Sequence, residues 1–450
     1  MTFTSTKGLL FLLAFFVQAV HSQNRPNEGE PVVKDRNIVF EAVPMFGEDT
    51  SKAYVAFHYR INKNFFVFVK NPKNTTQEEY VARGELIIEL LNEKGVSVGR
   101  EIRAVNLARA TLPSIGEPPS EIQGAVVFTV PDGTLNIVFE VDDKESGRTY
   151  VERKQKVTTR RPILRPLEGS IPFFAEMRVQ EGQSKFIVSN RGSDVVFGSR
   201  GGYLMQMYLP MGGEGLRLSW HIEGRLEDRQ QEKVELEGAQ YTLLSGFAQL
   251  AVSENEILYE AKPSTLAWNI LFIPLPLEKL FPGLYQLQME FKMGETTIPL
   301  KRSLRVYWPQ KPVSLTLFDL SVDALRIIAK EEEVDEMFGF TTYRGYLRFM
   351  EFWKKRDPDS TTAYNEVMAE FYRRVDESIR RFSTLKENDG YKTDRGRIFV
   401  LYGTPTSTER RLLPNRTPTE VWTYQNIRRK FIFTDPSRGG NYILTETETL

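Results

Sequence analysis

From residue 37 to about residue 157 the chain alternates apolar and polar positions in short runs: "NIVFEAVPMF", "AYVAFHYRI", "FFVFVK", "GELIIELLN", "GAVVFTV", "LNIVFEV" and "TYVERKQKV". A period of two is that of a strand with one buried face. Turn signals such as Asn62-Lys63-Asn64, Asn92-Glu93-Lys94-Gly95 and Asp132-Gly133 separate the runs. The spacing predicts an antiparallel β-sandwich over residues 37–157. The Arg- and Pro-rich stretch 158–166 reads as a linker. The alternation resumes in "SKFIVSN", "GYLMQMYL", "LRLSWHIEG", "AWNILFIPL", "GLYQLQMEFKM" and "KRSLRVYW". A second sandwich is therefore expected over 167–312. The "LFPGLYQLQMEF" hairpin gives it an immunoglobulin-like cast.

The period then changes to 3.6. "SVDALRIIAKEEEV" puts Val322, Leu325 and Ile328 on one stripe, with Ser321 as N-cap. "YRGYLRFMEFWKKRDP" aligns Tyr346, Phe349, Met350 and Trp353, and Pro358 ends that helix. A third helix carries Tyr364, Val367, Met368, Phe371, Val375, Ile379 and Phe382 on its apolar face. After Asp389 the strands return as "RIFVLYG", "EVWTYQ", "KFIFTD" and "YILTE". The expected fold is multidomain and mainly β: two antiparallel β-sandwich (immunoglobulin-like) domains, then an α+β domain over 313–450 with helices before a small antiparallel sheet.

Composition narrows the function. At 450 residues the chain exceeds one ordinary core, in keeping with several domains. Lys plus Arg and Asp plus Glu number 59 each, so no net field points to a nucleic-acid partner. Lys7 precedes the apolar run "GLLFLLAFFVQAV", and Val20 and Ser22 suit a cut before Gln23. Residues 1–22 thus read as a signal peptide and 23–36 as a flexible lead-in, a retained anchor being the alternative. No later stretch is apolar enough to span a bilayer. There is no cysteine, which leaves no disulfide, thiol nucleophile or lipid-bearing Cys. A periplasmic or extracellular bacterial protein is the expected setting. The sequons at Asn74 and Asn415 are set aside because so short a pattern often matches by chance.

Histidine is nearly as scarce, at three residues. His21 leaves with the signal, and His58 and His221 stand in alternating runs, where each reads as a residue of a β surface. A Ser-His-Asp triad or a His-rich zinc centre is not expected on that reading. "GSRGGY" and "MGGEG" match no phosphate-binding spacing, so no cofactor and no metal is expected. Chemistry, if any, falls to carboxylates. Glu366 and Glu370 stand four apart on the third helix, with Arg374 four further on. Asp357 and Asp394 complete the candidate catalytic set, read against a paired charge ladder and a hard-cation site. Arg356, Arg374 and Arg395 are the cations able to fill the space between these acids.

Several blocks carry a resemblance: "FDLSVDALRIIA", "FWKKRDPDSTTAYNEVMAEFYRRV", "GYKTDRGRIFVLYGTPT", "EVWTY" and "FIFTDPSRGGNY". In order and spacing this stretch, residues 317–442, resembles the GWxTD domain, a family of largely uncharacterised exported bacterial proteins. Gly390, Thr393 and Asp394 match its name-giving letters, and Tyr391 stands where the family has Trp. Phe352, Trp353, Arg356, Asp357 and Pro358 match the FW…RDP block, and Asn365, Glu366, Glu370 and Arg374 the NE…E…R helix. With Arg395, Gly403 and Trp422 these form the candidate binding or structural motif. The resemblance implies an envelope or secreted location and no established reaction. The resulting expectation is a non-catalytic binding or scaffold protein whose partner is a protein or envelope polymer. A carboxylate-dependent hydrolase of envelope glycan or peptide, or an ion- or ligand-sensing module, is the alternative.

Overall fold

The computed structural model describes residues 37–72, 78–112, 120–189, 191, 194–227, 233–251, 253, 256–338, 342–411 and 417–450. The signal peptide with its cut after Ser22, the lead-in, and both sequon asparagines lie outside the described residues.

The alternating runs of the first region become β1 (Ile38–Met45), β2 (Ala53–Asn62), β3 (Val69–Lys70), β4 (Tyr80–Leu91), β5 (Ser97–Arg109), β6 (Glu121–Val130), β7 (Gly133–Asp143), β8 (Thr149–Glu152) and β9 (Lys156–Thr159). They form one sheet in the order β1-β2-β6 and a second built on β3-β4-β7-β8, with β5 on β4 and β9 on β7. Phe57, Ile61, Leu86, Ile88 and Phe139 fill the space between the two.

The second region holds β10 (Glu168–Gly169), β11 (Phe173–Gln180), β12 (Gln183–Val188), β13 (Asp194–Val196), β14 (Gly202–Tyr208), β15 (Arg217–Leu226), β16 (Lys233–Gly238), β17 (Thr242–Ser245), β18 (Phe247–Ala251), β19 (Leu258–Lys262), β20 (Trp268–Pro274), β21 (Gly283–Met293) and β22 (Thr296–Tyr307). One sheet runs β17-β20-β14-β11-β12-β19-β18, with β10 on β14, and the other β13-β22-β21-β15-β16. All pairs are antiparallel except β13 with β22. Trp220, Leu271, Leu287 and Phe291 are central to the core they enclose.

The two sandwiches do not stand apart. Val43, Met45 and Ala56 of β1 and β2 pack on Phe173, Phe186, Tyr259 and Ile270 of the second sandwich. The β1-β2-β6 sheet is thereby covered on both faces, and four sheets stack in series. The stretch read as a linker is held at several points. Arg160 pairs with the buried Glu168, whose other oxygen accepts from the Ile163 amide at 2.8 Å, and Arg161 pairs with Asp132 at 2.9 Å.

Beyond β22 come α1 (Phe318–Ala324), α2 (Glu331–Phe338), α3 (Thr342–Lys354), α4 (Glu366–Phe382) and α5 (Asp394–Tyr402). The antiparallel sheet β23 (Ser407–Arg411), β24 (Thr419–Tyr424), β25 (Arg429–Thr434) and β26 (Ile443–Thr449) follows. The protein is thus mainly β with helices before a closing sheet, as expected. Three local expectations fail. "RIFVLYG" is helix α5, because Thr393 caps it and a nine-residue span places Ile398, Phe399 and Val400 inside. Ser321 is no N-cap: it lies within α1 and its hydroxyl donates back to the Phe318 carbonyl at 2.8 Å. Val367 is 44% exposed, and Tyr364 precedes α4 to pack on Phe197 and Trp308 of the second sandwich.

His58 also departs from its surface reading. It is 3% exposed, stacks edge-on to Phe173 and shares a 2.8 Å hydrogen bond with the Tyr259 hydroxyl across the two sandwiches. Burial, with Arg60 adding to it, pushes its imidazole down to about 3. Its register partner Glu41 has Oε2 sealed from solvent with no hydrogen-bond partner among the described residues. Burial raises that carboxyl to about 8, against the pull of Arg302.

The two shifts act in opposite pH ranges. The raised Glu41 pKa means that stability falls as pH rises from about 4.5 to about 8. The lowered His58 pKa means that stability falls as pH drops from about 6.5 to about 3. Glu41→Gln should therefore raise the melting temperature at pH 8 and flatten its decline between pH 5 and 8, as read by calorimetry. An unchanged pH profile would show that Glu41 is not held neutral in the fold.

Candidate functional site

The FW…RDP block closes α3. Trp353 is buried and packs on Phe371 and Tyr372 of α4, with ring centroids 5.3 and 5.6 Å apart. The Arg356 guanidinium carbon sits over the Phe352 ring, 3.5 Å from its centroid, and the side chain donates to the Phe352 carbonyl at 3.0 Å. Asp357 accepts from the Asp359 amide at 3.0 Å and shapes the turn. Asn365 serves both helices: it caps α4 by accepting from the Met368 amide at 2.8 Å and donates to the Trp353 carbonyl at 2.9 Å.

On α4, Glu366 is exposed in the first turn, where the helix dipole favours an acid. Glu370 is clasped by Arg373 at 2.7 Å and Arg374 at 2.6 Å. Partial burial pushes its carboxyl up, but the two guanidinium groups outweigh that and hold it below its ordinary value. Arg374 reaches on to the Val400 and Leu401 carbonyls at 3.3 and 3.2 Å. Those are oxygens that the end of α5 leaves without helical partners. Gly403 ends α5 with φ 77°, and its carbonyl accepts from the Tyr424 hydroxyl at 2.8 Å.

The GYKTD stretch is a tight 3-10 turn, Gly390–Lys392, ahead of α5. A Cβ on Gly390 would collide with the Ser378 carbonyl of α4, and one on Gly396 with the Gly390 carbonyl. Three backbones meet there with no room for a side chain. Thr393 donates to the Gly390 carbonyl at 2.7 Å and accepts from the Gly396 amide at 3.1 Å. Tyr391 is buried, and its hydroxyl donates to Asp323 at 2.6 Å. The hydroxyl that distinguishes it from the family's Trp thus has a partner. Asp323 also accepts from Lys392 at 2.9 Å, and these bonds lower its carboxyl despite partial burial.

Asp394 accepts from the Leu444 amide of β26 at 2.8 Å. Arg395 pairs with Glu420 at 3.2 Å, donates to the Gly440 carbonyl at 2.9 Å and stacks on Tyr442 at 4.2 Å. Trp422 donates its indole N–H to Glu420 at 2.7 Å. Glu420 is 3% exposed, and sequence reasoning passed over it. Its signal was there: Glu420, Trp422 and Tyr424 share one face of β24 at a period of two.

The four candidate catalytic acids are therefore dispersed. Asp357 bonds a turn, Glu366 faces solvent, Glu370 is held ionised by two arginines, and Asp394 anchors a strand. General acid–base work needs two carboxyls with pKa values set apart beside a cleft. Among the described residues, the acids whose ligand atoms do gather with a histidine are Glu223 and Glu235 beside His221, far from this motif in sequence.

Tyr391→Phe should lower the stability of the C-terminal region by about 1 kcal/mol, since a partly buried carboxylate loses a hydrogen bond. The loss should fade in acid. Asp323 is lowered in the fold, so its contribution is present above the ordinary Asp range and lost as pH falls through it. Chemical denaturation of wild type and variant at pH 7 and pH 3 measures both. An equal loss at the two pH values would contradict the Tyr391–Asp323 assignment.

No curated protein matches the chain. The family comparison reaches further upstream than the motif blocks, starting inside β21 and ending in β26. Over residues 285–447 the chain carries a GWxTD domain.

Proposed function

We propose that this is an exported bacterial protein that binds a protein or polymer of the cell envelope through its C-terminal domain and catalyses no reaction. One observation carries the reading: Arg395, Arg374, Asn365 and Asp394, polar residues of the motif, are engaged in joining elements. Arg395 and Glu420 tie α5 to β24, Arg374 ties α4 to the end of α5, and Asn365 ties α3 to α4. A catalytic acid needs a carboxylate free to exchange protons with substrate, whereas Glu370 is paired with Arg373 and Arg374 and Asp394 accepts from the Leu444 amide. The apolar "GLLFLLAFFVQAV" run and the absence of cysteine support export to a periplasmic or extracellular location. Among the described residues no helix is long and apolar enough to cross a membrane. The sandwiches serve as a spacer that presents the C-terminal domain.

The test is co-sedimentation of the full-length protein with an isolated envelope fraction containing sacculi and envelope proteins. The expected result is saturable sedimentation with no soluble glycan or peptide released. Release of fragments that falls at least tenfold in Glu366→Gln would overturn the non-catalytic reading in favour of a carboxylate hydrolase.

A further inference from the structure

The outward face of the second sandwich holds a cluster outside the GWxTD motif. On β15 the inward positions Trp220 and Ile222 are buried, so His221 and Glu223 project from the opposite face. The pairing of β15 with β16 sets Glu223 directly across from Glu235, and His221 across from Glu237. Ligand atoms of His221, Glu223 and Glu235 all lie within 4.8 Å of one another.

Two glutamates directly opposed on one sheet face repel each other. The structure already answers this with a cation: the Lys233 ammonium lies against Glu235 and 3.7 Å from Glu223. Its position marks where positive charge is favoured. Lys233 sits on a long, 59% exposed side chain and can swing aside at little cost. The three ligands, in contrast, are fixed at their Cβ atoms by two paired strands. Gln288 of β21 further restrains Glu223 with a hydrogen bond at 3.4 Å.

We propose that His221, Glu223 and Glu235 form a binding site for a divalent transition-metal ion, with Zn²⁺ as the fitting probe. One imidazole nitrogen and two carboxylates suit Zn²⁺ or Mn²⁺, whereas Ca²⁺ takes oxygens alone. Three protein ligands leave at least one coordination position to water or to an anionic group from outside. Glu237, across from His221, is the nearest further carboxylate by register. The site does not depend on the envelope-binding proposal, since it uses none of the motif residues.

Isothermal titration of the full-length protein with Zn²⁺ tests the site. One ion per chain should bind. His221→Ala should weaken binding by at least about tenfold, at or beyond the loss caused by removing an outer-shell partner. Lys233→Met should tighten it, because the competing cation is gone. Both positions are on the sandwich's outer face, so melting temperatures without metal should match wild type. If His221→Ala does shift the fold, Glu235→Gln gives the same reading at an exposed position. Absence of Zn²⁺ binding by wild type, or wild-type affinity in both His221→Ala and Glu235→Gln, would overturn the proposal.

Discussion

The C-terminal domain turns on a place where three stretches of backbone touch. Ser378 on α4, Gly390 in the turn and Gly396 on α5 stack so closely that a methyl group on either glycine would strike a carbonyl oxygen. That contact fixes where α5 begins and how it lies on α4. Thr393 then caps α5 against Gly390, Tyr391 is driven inward to reach Asp323, and Arg395 is aimed at Glu420. The letters of the motif thus describe one joint: a glycine for the approach, an aromatic plate, a capping hydroxyl and an acid that receives the last strand, with Gly396 just beyond them as the second small residue. Overpacking such a contact usually costs about 1–3 kcal/mol, which accounts for glycine at both positions.

The N-terminal half follows a different rule. A sandwich sheet normally keeps one face to water, yet β1, β2 and β6 are covered on both. The second face is apolar at Val43, Met45 and Ala56, and becomes polar at Glu41, His58 and Arg60. Arg60 donates to Gln123 of its own sheet and to the Val188 carbonyl across the interface at 2.5 Å, and His58 bonds Tyr259 across it, whereas Glu41 keeps one sealed oxygen without a partner among the described residues. Two modules joined by so much buried surface are expected to move as one, which suits a spacer.

Much of this was legible in the residues. The switch of period from two to 3.6 near residue 313 marked the change from sheets to helices, and the FW…RDP and GYKTD blocks marked the family. What escaped has physical reasons. "RIFVLYG" is apolar enough for a buried strand or a buried helix, and only the cap at Thr393 and the turn at Gly403 decide between them. His58 looked like a surface residue because alternation reports one buried face and says nothing of a second sheet on the other. Val367 fell on the predicted stripe, but α4 packs through Met368, Phe371, Tyr372 and Val375, slightly rotated from it. Glu420 was hidden because a glutamate in a strand is ordinarily solvated, and its partner Arg395 lies 25 residues away.

The central claim is that the motif's charged residues hold the domain together and do not react. The Arg395–Glu420 pair states it most sharply, with side chains 12% and 3% exposed. Breaking a buried pair from one side strands a charge, at about 3–5 kcal/mol, whereas replacing both partners with apolar residues is often neutral. Because the chain has several cores, protection of α5 and β24 amides in native-state hydrogen exchange is the appropriate readout. Glu420→Met alone should strip that protection, and Glu420→Met with Arg395→Met should restore part of it, since the Trp422 indole and Arg410 lose the same carboxylate in both variants. A single variant as protected as wild type, or a double variant no better than the single, would contradict the account.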